Sequence, residues 1–313
     1  MKKYIFLISF FFAINLFAEE KKPFIQYSFA TYENDSVYTR RDQYYSNGIQ
    51  LMFFTRDTEK NSKKYNYSFG VGQKIYTPND IEIPYFIPND RPYAGYLYSF
   101  LNKNIYSDNK IDTFGLSIGL SGKKSFSEYT QKKIHSLIGS PEPEGWDNQI
   151  KGQMLFSVNY NKTISWLEPQ ENQYNFDIIT KTGFNLGTPI TNFVPSVEFR
   201  YGFNLQQDYI SNTMNPFLST ISINNVKNSK SYFLFFELQP NFVIYNSFLD
   251  KHNLSRNNKL DIKKNWFCFN SSIGLNYRYK NYYAKHSITF LSKEFKEQKN
   301  NQLLFSIYLG YIF

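Results

Sequence analysis

The stretch QKKIHSLIGSPEPEGWDNQ, residues 131–149, carries one of only three histidines in the chain. Gln131 and His135 stand four residues apart, so on a helix they share one face. An imidazole changes charge near neutral pH and can take up or release a proton there. Residues 127–138 contain no glycine or proline, Ser125 or Ser127 is placed to cap a helix start, and Gly139 with Pro141 ends it. Ile134, Leu137 and Ile138 supply a narrow apolar side. A short helix is therefore expected. It is either a plain plug over the mouth of the fold with His135 on its surface, or a platform for proton transfer.

Other residues could join it. Asn34-Asp35 follows an alternating segment; the aspartate is either a turn former or a hard oxygen donor of the kind Ca²⁺ prefers. Ser46-Asn47-Gly48 has turn composition, and Arg91 lies in NDRPYAG. His252 falls in a basic loop and His286 within a strand, each without a partner visible in sequence. There is no Gly-Xaa-Ser-Xaa-Gly elbow, zinc spacing or phosphate loop.

The elements that must hold these residues are mostly strands. Residues 1–18 have two lysines, an apolar run from Tyr4 to Phe17 and a small residue, Ala18, before an acidic pair, which is the pattern of a secretory signal peptide. Residues 19–313 then form one domain. Aromatics make up 20% of the chain, with 32 Phe and 27 Tyr, yet mean hydropathy is -0.49. That combination suits strands alternating lipid-facing and water-facing residues, with aromatic girdles at both interfaces. One cysteine, Cys268, excludes an intrachain disulfide framework. The net charge of +9 on an exported chain points to anionic lipid head groups or phosphorylated glycolipid, not nucleic acid.

The last eleven residues, LLFSIYLGYIF, alternate cleanly and end on Phe313. Residues 111–121, 65–73 and 197–203 repeat the pattern, with small or charged residues on the second face. Twelve strands are expected: 24–34, 44–56, 65–77, 93–106, 111–121, 149–163, 172–186, 190–206, 231–246, 265–279, 282–292 and 302–313. The fold class is all-β, an antiparallel transmembrane barrel with a short helix in an extracellular loop. An even count puts both termini on the periplasmic side. The connection 207–230 is too long for a periplasmic turn, so either its flanking strands outrun the bilayer or the count is wrong there. Strand parity gathers the first three outer connections at one rim, making Asn34, Asp35, Ser46, Arg91 and His135 neighbours.

Taken as a set, END at 33–35, YYSNGIQL at 44–51, NDRPYAGYLY at 89–98 and QKKIHSLIGSPEPEGWDNQ at 131–149 resemble the lipid A 3′-O-deacylase family of outer-membrane enzymes. The resemblance covers about residues 27 to 160. It implies a twelve-stranded barrel that hydrolyses the 3′ ester of lipid A with Ca²⁺, at a site between the outer barrel wall and the loop helix. Carried over by motif, His135 is the general base, and Asn34, Asp35 and Ser46 are further catalytic residues. Gln131 and Arg91 are substrate-binding candidates. Asp35 and Glu142 are candidate metal ligands; Glu142 lies beside Pro141, the position where some members carry a metal-associated glutamate. The chemistry is coherent: imidazole removes a proton from water, and a cation held by Asp35 stabilises the oxyanion, with no covalent serine. Lys123, Lys124, Lys132 and Lys133 are available to lipopolysaccharide phosphates. A monomer in outer-membrane lipid is expected. The competing readings are a passive porin or adhesin, and a serine-type outer-membrane phospholipase.

Overall fold

The computed structural model describes residues 24–39, 42–60, 63–107, 109–167, 173–205, 208–221, 230–254 and 258–313; the expected signal peptide lies outside them. Twelve barrel strands follow in chain order: β1 (Ile25–Asn34), β2 (Tyr44–Thr55), β3 (Lys63–Thr77), β4 (Ala94–Ser107), β5 (Lys110–Ser121), β6 (Met154–Ser165), β7 (Tyr174–Gly187), β8 (Ile190–Phe203), β9 (Ser231–Asn246), β10 (Phe267–Tyr279), β11 (Tyr282–Leu291) and β12 (Gln302–Ile312). Each pairs antiparallel with the next, and β1 closes on β12 with Tyr27 opposite Ile312 and Asn34 opposite Phe305. Thr58–Lys60 extends the hairpin between β2 and β3. Closure pairs each of the twelve barrel strands on both sides, which a span through hydrocarbon requires.

Period-two alternation decides the faces. In β12 the odd positions from Leu303 to Tyr311 point out, and Gln302, Leu304, Ser306 and Tyr308 are buried inside. In β8, Glu198 and Arg200 point in while Val197, Phe199 and Tyr201 point out. Leu116 and Val158 are each 58% exposed, as lipid-facing residues must be. Rings cluster near both ends of the spans. Tyr174, Tyr201, Phe203 and Tyr232 gather at the end bearing the termini, and Phe184, Phe193, Phe242 and Phe267 form a ladder near the opposite end.

The connection between β8 and β9 corrects the sequence reading. Neither overlong strands nor a miscount explains it. Its described part, 208–221, folds back into the lumen. Asp208–Tyr209 pairs with Thr220–Ile221, and Ile210 and Ile221 pack among Tyr27, Phe29 and Tyr98. Asn212 Nδ2 donates to Glu198 at 3.0 Å and to Glu237 at 2.7 Å; Met214 N donates to Glu33 at 2.5 Å. Lys285 Nζ donates to the Ile210 carbonyl at 2.5 Å. Lumenal charges are paired as burial demands: Arg200 with Asp177 at 2.5 Å, and Lys181 with Glu198 at 3.3 Å.

The start of β6 also differs, at Met154 instead of 149. Residues 145–148 form a 3₁₀ turn, and Ile150 bridges sideways to Leu254, which postpones entry into the barrel.

Candidate active site

The loop helix, Ser127–Ile138, does not cover the lumen. It packs on the outside of the wall, while Phe248 stacks on Tyr76 at the lumenal mouth. Outward-facing Gly95 explains the approach: a Cβ there would sit 2.1 Å from Ser125 Oγ and 2.3 Å from Ser127 Oγ. Gln73 Nε2 adds a bond to the Ser125 carbonyl at 2.7 Å. Neither serine is the N-cap residue, which is Phe126 in a left-handed conformation. A small second core outside the wall, Ile75, Ile81, Tyr93 and Trp146, supports the helix.

Gly139 ends the helix as expected. At φ 71° its N–H donates to the His135 carbonyl at 2.8 Å and the chain folds back. That reversal carries the Pro141 carbonyl to within 2.5 Å of His135 Nδ1. His135 and Gln131 share one helix face, both buried. They converge on a residue the sequence reading missed. Asp42 Oδ2 lies 2.6 Å from His135 Nε2 and accepts the Gln131 amide at 2.9 Å. Trp146 Nε1 donates to Gln131 Oε1 at 2.9 Å, which fixes the amide's orientation. Asp42 stands in RRDQYY, where charge reads as ordinary loop solvation.

Asp35 places Asp42. Its Oδ2 accepts the Gln43 backbone N–H at 2.9 Å, and Gln302 Nε2 donates to the Gln43 carbonyl at 2.6 Å, closing the connection between β1 and β2. Burial, and then the neighbouring Asp42 charge, push the Asp35 carboxyl well above the usual carboxylate range. Asn34 Nδ2 and Asp35 N both donate to the Ser46 carbonyl. Asn34, Asp35 and Ser46 are thus neighbours, as parity required. Ser46 sits at a register shift between β2 and β3, and its hydroxyl bonds Thr77 Oγ1 at 2.6 Å.

Both His135 nitrogens face acceptors. A carbonyl oxygen can only accept, so Nδ1 carries a proton, and the proton between Nε2 and the carboxylate is shared with Asp42. Burial pushes the imidazole pKa down; the Asp42 hydrogen bond, the Pro141 carbonyl and the Asp42 charge outweigh it and hold the pKa above the ordinary histidine value. The pair borders a pocket of about 340 Å³, lined by Asn34, Asp42, Asn47, Gln131 and His135 among others. It opens on the outer, lipid-facing side of the wall.

Asp35 and Ser46 are buried behind the pocket beside Asn34 and Asn47, which line it, whereas Arg91 and Glu142 have partners elsewhere. Arg91 is 1% exposed, bonded to Glu294 at 2.6 Å and stacked on Tyr76 at 4.4 Å. Glu142 is exposed and pairs with Lys132 at 3.5 Å, away from Asp35. Among the described residues, no three His, Cys, Asp or Glu side chains gather as a metal cluster. Lys123, Lys132 and Lys133 line an open groove along the other flank of the helix, with Phe126 and Tyr129.

The family model for outer membrane protein LpxR matches residues 5–313. Among solved structures the chain is similar to LpxR from Salmonella typhimurium, at 16% identity and TM-score 0.79, covering 92% of this chain and 100% of that one. The KdgM porin aligns at 8% identity and TM-score 0.41, over 92% and 99% of the two chains. The β domain of the Bordetella autotransporter BrkA aligns at 7% and 0.48, over 93% and 100%. No curated relative matches by sequence.

Proposed function

Because the chain belongs to the outer membrane protein LpxR family, the lipid A deacylases its motifs resemble, we propose that it hydrolyses the acyl ester at the 3′ position of lipid A. The observation that carries the reading is the place of His135. It borders a polar pocket on the outside of the wall, at the end of the spans opposite the termini, where a glycolipid ester meets the rim. An ester has its acyl chain in hydrocarbon and its carbonyl at the polar boundary. A site facing lipid admits both without lifting the lipid from the leaflet.

His135 is the general base in this reading. The direct contact between Nε2 and Asp42 belongs to the folded protein without substrate, and catalytic hydrogen bonds rearrange when a substrate complex forms. Once Nε2 has lost its own proton to solvent, it takes one from a water lying between the two groups; the hydroxide adds to the ester carbonyl, and the proton passes from Nε2 to the departing sugar oxygen. Asn34 borders the same pocket, and Asp35 and Ser46 hold it in place.

Calcium belongs to the proposal. Buried Asp35, beside the negative charge of Asp42, favours a cation, and its carboxylate with the Asn34 amide oxygen offers the hard donors Ca²⁺ takes. Asp35 is the ligand we assign; Glu142 points elsewhere, so the remaining oxygens belong to other groups. Bound there, the ion supplies positive charge for the developing oxyanion. Asp35→Asn is expected to raise the calcium concentration needed for activity and to weaken calcium binding measured by calorimetry. Native binding in that variant removes Asp35 from the ligand set.

Two observations argue against the competing readings. The 208–221 segment occupies the lumen a porin would keep open. The Ser46 hydroxyl is engaged by Thr77 and has no histidine beside it, as a serine nucleophile would need. The test is mass spectrometry of lipid A from cells expressing the native chain or His135→Ala. The native chain should release the 3′-linked acyl mass, and the variant should leave lipid A intact. Equal deacylation by both would sink the assignment.

A further inference from the structure

We propose that Asp42 is a positioning residue of this site, acting on the reaction through His135; the proposal rests on the deacylase reading above. Three features single it out. First, one oxygen, Oδ2, takes both His135 Nε2 at 2.6 Å and the Gln131 amide at 2.9 Å, so a single carboxylate spans one full turn of the loop helix. Second, the side chain is only 7% exposed. A carboxylate that far from water is costly unless a donor or cation compensates, and both of these residues compensate it. Third, the Pro141 carbonyl holds Nδ1 from the other side, so the ring is gripped at both nitrogens and cannot turn.

The consequence is specific. With Nδ1 committed as a donor, Nε2 is the only atom that can serve as base. Asp42 sets the direction in which Nε2 points, toward the pocket both residues line. Loss of the carboxylate frees the ring to rotate and leaves Gln131 without its acceptor.

Asp42→Asn preserves shape and removes charge. Deacylation should fall about 100-fold in kcat with little change in KM, the scale expected when a reacting group is misplaced by about 1 Å. A second readout does not depend on activity. Diethyl pyrocarbonate acylates an unprotonated imidazole nitrogen, and peptide mass spectrometry reports the rate at His135 against exposed His252 in the same molecule. That ratio should rise several-fold in Asp42→Asn, and Asp42→Ala, the second variant, should behave alike. Native kcat in folded variants overturns the proposal. So does an unchanged labelling ratio, which would mean that Asp42 does not engage the ring. If the native chain deacylates nothing, the deacylase reading fails by itself, and the labelling ratio still tests the contact.

Discussion

Asp42 Oδ2 and His135 Nε2 stand 2.6 Å apart although 93 residues separate them in the chain. The contact joins the loop after β1 to the helix after β5, on the outside of the barrel wall. Neither loop contains a complete site. The Asp35–Gln43 bond shapes one, the Gly139 reversal shapes the other, and the wall at Gly95 brings them together.

That contact fixes the pH dependence. Burial alone would lower the His135 pKa, but the Asp42 hydrogen bond, the Pro141 carbonyl and the Asp42 charge raise it above the ordinary value. A base works only after losing its proton, so activity should rise as pH increases through this raised pKa. The acid limb of kcat/KM should lie above about 6.5 in the native chain. The stability contribution runs the other way: it is complete below the unfolded histidine pKa and is lost as pH rises through the folded one. A native profile whose acid limb sits at or below the ordinary histidine value contradicts the geometry.

Gly139 should be tested next. Its φ of 71° lies in the left-handed region, and no atom lies within 4 Å of a Cβ built there, so the cost of a side chain is conformational alone. Gly139→Val should cost about 1–2 kcal/mol locally and displace the Pro141 carbonyl from Nδ1. Activity should drop while the barrel still migrates as folded on unheated gels. Gly139→Asn, which tolerates this region, should stay close to native. Equal activity in both variants would detach the turn from the site.

The strands were legible because alternation is a local property. The expected and observed spans agree to a few residues, and the outward face of β12 could be read directly from LLFSIYLGYIF. The Gln131–His135 pairing was legible for the same reason, since helical spacing is local. Asp42 was not, because its role depends on a partner 93 residues away and its neighbours are ordinary loop charges. Arg91 misled in the opposite sense. Parity placed its backbone at the right rim, but parity says nothing of side-chain direction, and the guanidinium turns to Glu294 and Tyr76. Pro141 looked like a missing acid in sequence; in the fold its carbonyl, which any residue would offer, is what touches His135. The lumenal segment 208–221 was illegible because its apolar residues pack on residues from many strands.

Ser46→Ala separates water attack from a serine mechanism. The hydroxyl is buried and bonded to Thr77 Oγ1 at 2.6 Å. Its removal should cost about 1 kcal/mol of stability. Deacylation should remain within about tenfold of native, because the Ser46 carbonyl still accepts from Asn34 and Asp35. Intact-protein mass spectrometry of the native chain during turnover should show no acylated species. An acyl adduct on Ser46 would restore the phospholipase-type reading.

Conductance should be separable from catalysis, because the lumen and the pocket lie on opposite faces of the same wall. The 208–221 segment is bonded to Glu33 of β1, Glu198 of β8, Glu237 of β9 and Lys285 of β11, so it is held as part of the folded interior. The native chain in planar bilayers should therefore show no porin-like steps. Replacing 210–220 with a short glycine–serine linker removes Asn212 and Met214 and leaves a lumen lined by Glu33, Glu198, Glu237 and Lys285. Water and ions should then enter, and conductance steps should appear. The pocket should keep most of its activity, since Glu33 retains Tyr45 and Ser306 as partners and Asn34 keeps its bond to the Ser46 carbonyl. Steps in the native protein would mean that the segment leaves the lumen in a bilayer. Loss of deacylation in a correctly folded linker variant would mean that the interior also supports the site through the β1 wall.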